Sequence, residues 1–278
     1  MALKSDFRLK SDFHIHSDFS GDSDTPMEEM ICAALSMGLD TICFTEHHDL
    51  DYPVTQETPA GYFELNTDSY LYDLIRLKEK YAGQIDVLFG VELGLQPHLT
   101  KALARYAKSY DFDFIIGSTH LCKGQDVYYP PFFEGKTDEE CYREYFEEIY
   151  TNIRKFQNFD VCGHLDYVVR YGATMDQDYC YEKYQDIFDR ILTFLIEQEK
   201  GIELNTGGLY KGLKEPHPCI GVLKRYKKLG GEIITFGSDA HTPDRIAYGA
   251  EKICELLKDC GFRYYSIFRN RVAEYRKL

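Results

Sequence analysis

Nine histidines occur in this 278-residue chain. Six of them lie within or just after short runs rich in Ile, Val, Phe or Leu. They are His14 and His16 in DFHIHS, His47 in TICFTEH, His120 in FDFIIGSTH, His164 in FDVCGHLD and His241 in EIITFGSDAH. Acids travel with them: Glu46 precedes His47, Glu92 sits in IDVLFGVELGL, Asp166 follows His164 by two, and Asp239 precedes His241 by two. In DFHIHSDFSGD (12–22), strand alternation puts His14 and His16 on one face and Ile15 on the other, so both imidazoles can reach one ion. One such histidine alone is more often a satisfied polar residue. Six at equivalent strand ends are another matter, because burying so many imidazoles and carboxylates together without a cation is costly. Imidazole nitrogen mixed with carboxylate oxygen suits Zn, Mn or Fe. Cys122 and Cys162 are the thiols beside the cluster, which argues against a Cys-rich structural zinc site. Eight or nine donors exceed the coordination of one ion and fit two or three, with Glu92 able to bridge a pair.

These residues need a scaffold that brings strand ends together. Seven strand-like runs recur along the chain, at 12–17, 41–47, 85–95, 112–120, 159–166, 201–207 and 232–241, each followed by Gly, Asp or Ser. Helical stretches separate them. Thr25-Pro26-Met27-Glu28 reads as a capping box opening a helix that ends at Gly38. Leu71, Leu74, Ile75 and Leu77 keep helical spacing. Thr137 and Glu140 form a second capping box for 137–157, and 176–199 reads as a long amphipathic helix ending near Gly201. The stretch FRYYSIF (262–268) adds a short final strand. Alternating strands and helices imply parallel pairing, and seven units suggest a closed barrel with its chemistry at the carboxyl ends of the strands.

Length and charge bound the partners. A single domain over residues 1–278 is compatible with one α/β barrel. The net charge of -14 makes nucleic acid a poor default partner. A small phosphate ester remains compatible with that charge if metal ions supply the positive field. The nine cysteines are odd in number, lack CxxC spacing and follow a polar opening, MALKSDFRLKSDF, without a secretory core. Reduced thiols in a cytoplasmic protein are expected. No apolar run approaches the roughly 18 residues of a membrane span. A monomer and a homodimer are both compatible with the sequence.

The ordered set HIH (14–16), TEHHD (45–49), GVE (90–92), GSTH (117–120), GHLD (163–166) and GSDAH (237–241) resembles the successive motifs of the PHP (polymerase and histidinol phosphatase) superfamily. The stretches ICFTEHHD, GSTHLCKGQDVYYPPFFEGK, GHLDYVVRYG and NTGGLYKGLKEPHP are most similar to its stand-alone histidinol-phosphate phosphatases. The resemblance implies a distorted seven-stranded (β/α) TIM-like barrel with three divalent metal ions. One ion would take His14, His16, Glu92 and Asp239. A second would take Glu92, His120 and His164, and a third Asp22, His47 and His241. Asp22 stands where other members have histidine, eight residues after the first, and a carboxylate there favours Mn or Fe over Zn. Asp18 is its competitor in the same loop.

The reaction so implied is hydrolysis of a phosphate monoester by a metal-bridged hydroxide, with L-histidinol phosphate the leading substrate. Glu92 would bridge the ions, and Asp239 or His241 is a candidate proton donor to the leaving group. Arg170, a planar fork in a strand-end loop, is the expected phosphate contact. Lys123 and Arg245 are weaker candidates. Glu46 is expected either to support the ligands or to meet a substrate ammonium, and Asn205 to meet substrate or a bound water. His48 should face away, while His98 and His217 read as solvated loop residues. Tyr128, Tyr129, Phe132 and Phe133 read as a rim or as packing. Competing readings are another phosphoesterase substrate (nucleotide, sugar phosphate or phosphotyrosine), a nuclease or proofreading module, and a non-catalytic metal-binding protein.

Overall fold

The computed structural model describes residues 9–278. Residues 1–8, which carry most of the polar opening read against a secretory leader, lie outside the described residues. All seven expected strands form: β1 (Ser11–Ile15), β2 (Thr41–His48), β3 (Asp86–Gly94), β4 (Phe114–Ser118), β5 (Val161–Cys162), β6 (Gly201–Asn205) and β7 (Ile234–Gly237). They pair in sequence order, every pair parallel, in one seven-stranded sheet. Strands covered on both faces read as unbroken apolar runs, which is why DVLFGVELG shows little alternation.

The last strand returns to the first. Ile15 and Ala240 form a parallel bridge, the His16 amide donates to the Ala240 carbonyl at 2.9 Å, and the Asp239 amide donates to the His14 carbonyl at 2.8 Å. The sheet is thus a nearly closed barrel, and its seam lies at three of the expected ligands. Several strands are shorter than the sequence runs. The chain leaves the sheet after Ser118, Cys162 and Gly237, so His120, His164, Asp239 and His241 stand in strand-end loops.

Helices α1 (Met27–Met37), α2 (Thr67–Lys80), α3 (Thr100–Tyr106), α4 (Asp138–Lys155), α5 (Gln185–Glu197), α6 (Ile220–Lys228) and α7 (Ala250–Asp259) fill the intervals. The Thr137–Glu140 capping box forms as expected. The Thr25–Glu28 box does not. The Thr25 hydroxyl donates instead to the His241 carbonyl at 3.0 Å, and Glu28 binds Lys80 and Tyr81. A tertiary contact at the site loop outcompetes the local cap. Gly38 ends α1 in the left-handed conformation. The helix expected over 176–199 begins only at 185. A 3-10 turn at Tyr181–Tyr184 precedes it, and Asp176 is held in the loop by the Lys214 amide.

FRYYSIF forms a strand, but not a barrel strand. β8 (Tyr264–Arg269) pairs antiparallel with β9 (Val272–Lys277) beneath the amino ends of the barrel strands. Phe268 meets Phe114 at 5.0 Å between ring centroids, and Phe114 meets Phe13 at 5.3 Å. Burying three such rings stabilises the fold by roughly 2–3 kcal/mol each. No helix among the described residues is long and apolar enough to cross a membrane.

Candidate metal centre

The barrel seam and the strand register together concentrate the donors. His47 lies directly beside Glu92 across the β2–β3 pair. Glu92 is fully buried and stands at the centre of the cluster. Its Oε2 lies 3.2 Å from His14 Nε2, 3.6 Å from His16 Nε2 and 3.0 Å from His47 Nδ1. Its Oε1 lies 3.2 Å from His120 Nε2 and 2.9 Å from His164 Nε2. Asp239 Oδ1 sits 3.7 Å from His14 Nε2 and 3.6 Å from His16 Nε2. Asp22, whose side chain is 41% exposed, places Oδ2 at 3.2 Å from His241 Nε2 and 3.6 Å from His47 Nε2. Asp18 is exposed, and its amide pairs with the Thr25 carbonyl. The loop therefore brings Asp22, not Asp18, to the imidazoles. Asp239 occupies the left-handed region at φ 57°, a conformation that costs a non-glycine residue about 1 kcal/mol or more and clusters at functional sites.

Whether these residues fit a cation can be judged from their unsatisfied atoms. Buried polar atoms are nearly always hydrogen-bonded. Here His14 Nε2, His16 Nε2, His47 Nδ1, Asp49 Oδ2, Glu92 Oε2, His164 Nδ1 and His241 Nε2 are buried with no hydrogen-bond partner. Triplets of donors, including His14–His16–Glu92, Glu92–His120–His164 and His16–His47–His241, lie within 4.8 Å of one another. The opposite ring nitrogens are fixed. His14 Nδ1 donates to Glu203 Oε1 at 2.6 Å, His120 Nδ1 to Asp49 Oδ1 at 2.7 Å, and His241 Nδ1 to the Asp239 carbonyl at 3.0 Å. His16 Nδ1 donates to Ser20 Oγ at 3.0 Å, whose proton goes to Glu46. Outer hydrogen bonds of this kind set the tautomer and aim the other nitrogen inward. The donor set and its orphaned atoms fit divalent metal ions.

The electrostatics agree. Burial disfavours every charge here, yet the carboxylates of Glu203 and Glu92 hold His14 well above its usual range. Burial likewise opposes His120, but Asp49 and Glu92 push it up to about 10. Burial, then His241 and His47, drive His16 well below. Against its own desolvation, Glu92 is held well below the carboxylate range by His14, His120 and His47. The buried carboxylates thus set up a negative field at the imidazoles, as a cation site requires.

Several expectations need correction. Glu46 does not reach the cavity. It is buried, and its oxygens accept from the Ser17 amide, Ser17 Oγ and Ser20 Oγ, which makes it a support for His16 and not a substrate contact. Asn205 is also fully buried. Its Oδ1 accepts from Arg170 Nη2 at 3.1 Å and its Nδ2 donates to Glu203. Lys123 pairs with Glu144 away from the site. His217 is not solvated: it is 1% exposed and bonded to Asp166 and Arg170. Asp239 accepts from Arg170 and is held as a carboxylate, with burial opposing and His14 and His16 favouring ionisation, so it is poorly suited to donate a proton. His48 does face away, stacked on Tyr106 at 3.8 Å, and His98 pairs with Asp51 at the surface. Asp49 and Glu203 escaped notice in the sequence. Both carried a signal: Asp49 follows His47 by two, and Glu203 is a lone acid inside an apolar strand.

A cavity of about 620 Å³ opens over the cluster. His47, His120, His164, Asp239 and His241 form part of its floor, and Arg170 and Arg245 its cationic wall. Tyr128 and Tyr129 belong to the rim, whereas Phe132 is buried and Phe133 packs against the core.

Comparison with known proteins accords with this arrangement. The PHP domain model matches residues 12–207. The histidinol-phosphatase of Lactococcus lactis is 34% identical over 250 residues, 90% of each chain. A Clostridium acetobutylicum protein named "Probable histidinol-phosphatase" is 33% identical, over 92% of this chain and 95% of its own. The crystal structure of the Lactococcus lactis histidinol phosphate phosphatase, complexed with Zn, L-histidinol and phosphate, superposes with a TM-score of 0.85 at 31% identity, covering 95% of this chain and 98% of that one. The chain therefore belongs to the PHP domain family, within its histidinol-phosphatase group.

Proposed function

We propose that the protein is a metal-dependent phosphate monoester hydrolase acting on L-histidinol phosphate, releasing L-histidinol and phosphate. The observation that carries this reading is the joining, in one cavity, of the orphaned His and carboxylate donors with the buried Arg170 guanidinium. The relative solved with Zn, L-histidinol and phosphate supports the substrate.

His14, His16, Glu92 and Asp239 would hold one divalent ion, Glu92, His120 and His164 a second, and Asp22, His47 and His241 a third. Bound there, such ions supply a water of lowered pKa and neutralise charge on the phosphoryl oxygens. Zn, Mn and Fe all suit these donors, and the Asp22 carboxylate favours the harder ions at its site. The remaining work falls to the chain. Glu92 keeps two donor groups at a fixed separation. Asp49, Glu203 and the Ser20–Glu46 pair hold imidazole protons on the outer nitrogens, so the inner lone pairs stay available. Arg170 offers Nη1 to phosphate oxygens while Nη2 stays on Asp239 and Asn205. Tyr128 and Tyr129 line the cavity at its rim.

The test is phosphate release from a substrate panel by protein loaded with Zn or Mn. L-Histidinol phosphate should be hydrolysed far faster than generic esters, nucleotides, sugar phosphates or phosphotyrosine. Equal rates across the panel would refute the substrate assignment.

A further inference from the structure

Arg170 is 9% exposed. Its environment is unusually specified. Nε donates to His217 Nε2 at 2.8 Å, and Nη2 donates to Asn205 Oδ1 and Asp239 Oδ2, both at 3.1 Å. The guanidinium lies over the Tyr167 ring at 4.8 Å. The two Nη1 hydrogens take no part in these bonds.

An arginine Nε is always a donor, so His217 Nε2 must accept, and the imidazole proton must sit on Nδ1. That proton points at Asp166 Oδ1, 2.5 Å away. Asp166 is in turn fixed by the Tyr179 hydroxyl at 2.8 Å and the Cys219 amide at 2.8 Å. The His217 backbone is clamped to the end of β6: Asn205 N donates to His217 O at 2.7 Å, and His217 N to Asn205 O at 2.8 Å. Space for the pair is reserved by two glycines. A Cβ on Gly207 would stand 2.6 Å from Arg170 Nη2, and one on Gly208 would stand 2.5 Å from His217 Nε2.

We infer that His217, its tautomer set by Asp166, is a positioning residue that aims the Arg170 guanidinium at the substrate phosphate. The inference rests on the reading of Arg170 as the phosphate contact. The chain Asp166–His217–Arg170–Asp239 also ties phosphate recognition to a carboxylate of the metal cluster, so both are held by one buried network.

The experiment compares metal-loaded Arg170→Ala, His217→Ala, His217→Gln and Asp166→Asn with the unaltered enzyme. KM and kcat for L-histidinol phosphate, inhibition by inorganic phosphate, metal content and Tm are measured for each. Arg170→Ala should raise KM and the phosphate Ki. His217→Ala should raise both by between about tenfold and a hundredfold, the scale of a misaimed binding group, with metal content retained. His217→Gln keeps an acceptor near the Nε2 position and should recover most of the loss. Asp166→Asn is isosteric but favours the wrong tautomer, turning His217 Nε2 into a donor against Arg170, and should match His217→Ala. If Arg170→Ala leaves KM and Ki unmoved, the phosphate-contact reading fails and this inference falls with it. If Arg170→Ala raises them but His217→Ala and Asp166→Asn change only Tm or metal content, positioning alone is overturned. Should His217→Ala fail to fold, the Gln and Asn variants still decide.

Discussion

The two ends of the barrel are both crowded with acids, and they treat them in opposite ways. At the amino ends of the strands, Asp40, Asp86, Asp113 and Asp160 each have a partner. Arg269 donates to Asp86, Arg271 Nε to Asp160 Oδ2 at 2.5 Å, and Arg276 Nη1 to Asp40 Oδ1 at 2.5 Å. Asp113 receives the Asn270 amide at 3.1 Å and the Phe89 amide at 3.0 Å. The β8–β9 hairpin supplies most of these donors and closes that end. At the carboxyl ends, Glu92, Asp49 and one ring nitrogen each of His14, His16, His47, His164 and His241 keep atoms with no partner, although Glu92 and Asp49 are more deeply buried. A satisfied network stabilises, whereas an unsatisfied buried one is costly unless a ligand completes it. One end therefore reads as scaffold and the other as a site.

The contrast can be broken most sharply at Glu92. Glu92→Gln should lower phosphate release by about 10³-fold or more and reduce bound metal measured by atomic emission, while the metal-free fold persists. Retained metal and turnover would remove Glu92 from the site. A smaller effect is expected one layer out. Glu203→Gln should weaken metal affinity about 10–100-fold, read by competition with a chromophoric chelator. Unchanged affinity would reduce the Glu203–His14 bond to packing.

Proton linkage sharpens the same comparison. His120 titrates near 10 in the metal-free chain against an ordinary 6.5, because Asp49 and Glu92 outweigh burial. Between pH 6.5 and 8.5 an incoming ion must displace that proton. Affinity should thus rise about tenfold per pH unit for each proton released, and calorimetry in buffers of different ionisation enthalpy should detect the release. A flat profile would count against His120 as a ligand. For the metal-free fold the sign is opposite. The raised value contributes stability that is complete below pH 6.5 and lost as pH rises through about 10.

The least effect on turnover is expected at the other end. Arg271→Ala leaves the buried Asp160 carboxylate without its ion pair and should destabilise by roughly 2–3 kcal/mol in urea unfolding. Its KM and metal content should stay at the unaltered values. A change in either would show that the two ends are coupled.

Much of the site was legible along the chain because strand chemistry is periodic and local. The spacing of His14 and His16, the position of each His and acid at a strand end, and the number of donors all follow from residue types set against a two-residue repeat. The capping signal at Thr137 held for the same reason. The one at Thr25 failed because its hydroxyl is drawn to His241, more than two hundred residues away. Glu46 and Asn205 suit recognition by type, but their polar atoms are already taken inside the protein, Glu46 by Ser17 and Ser20 and Asn205 by Arg170 and Glu203.

By itself, the sequence determined the alternating architecture and the His and carboxylate types that gather at the strand ends. The tertiary structure alone decided which of those groups are left unsatisfied. It closed the barrel between His14, His16 and Asp239, chose Asp22 over Asp18, and carried His217 from a proline-flanked loop to the guanidinium of Arg170. These outcomes depend on contacts between residues far apart in the chain and on which polar atoms the packing leaves dry, and neither quantity is written in local periodicity.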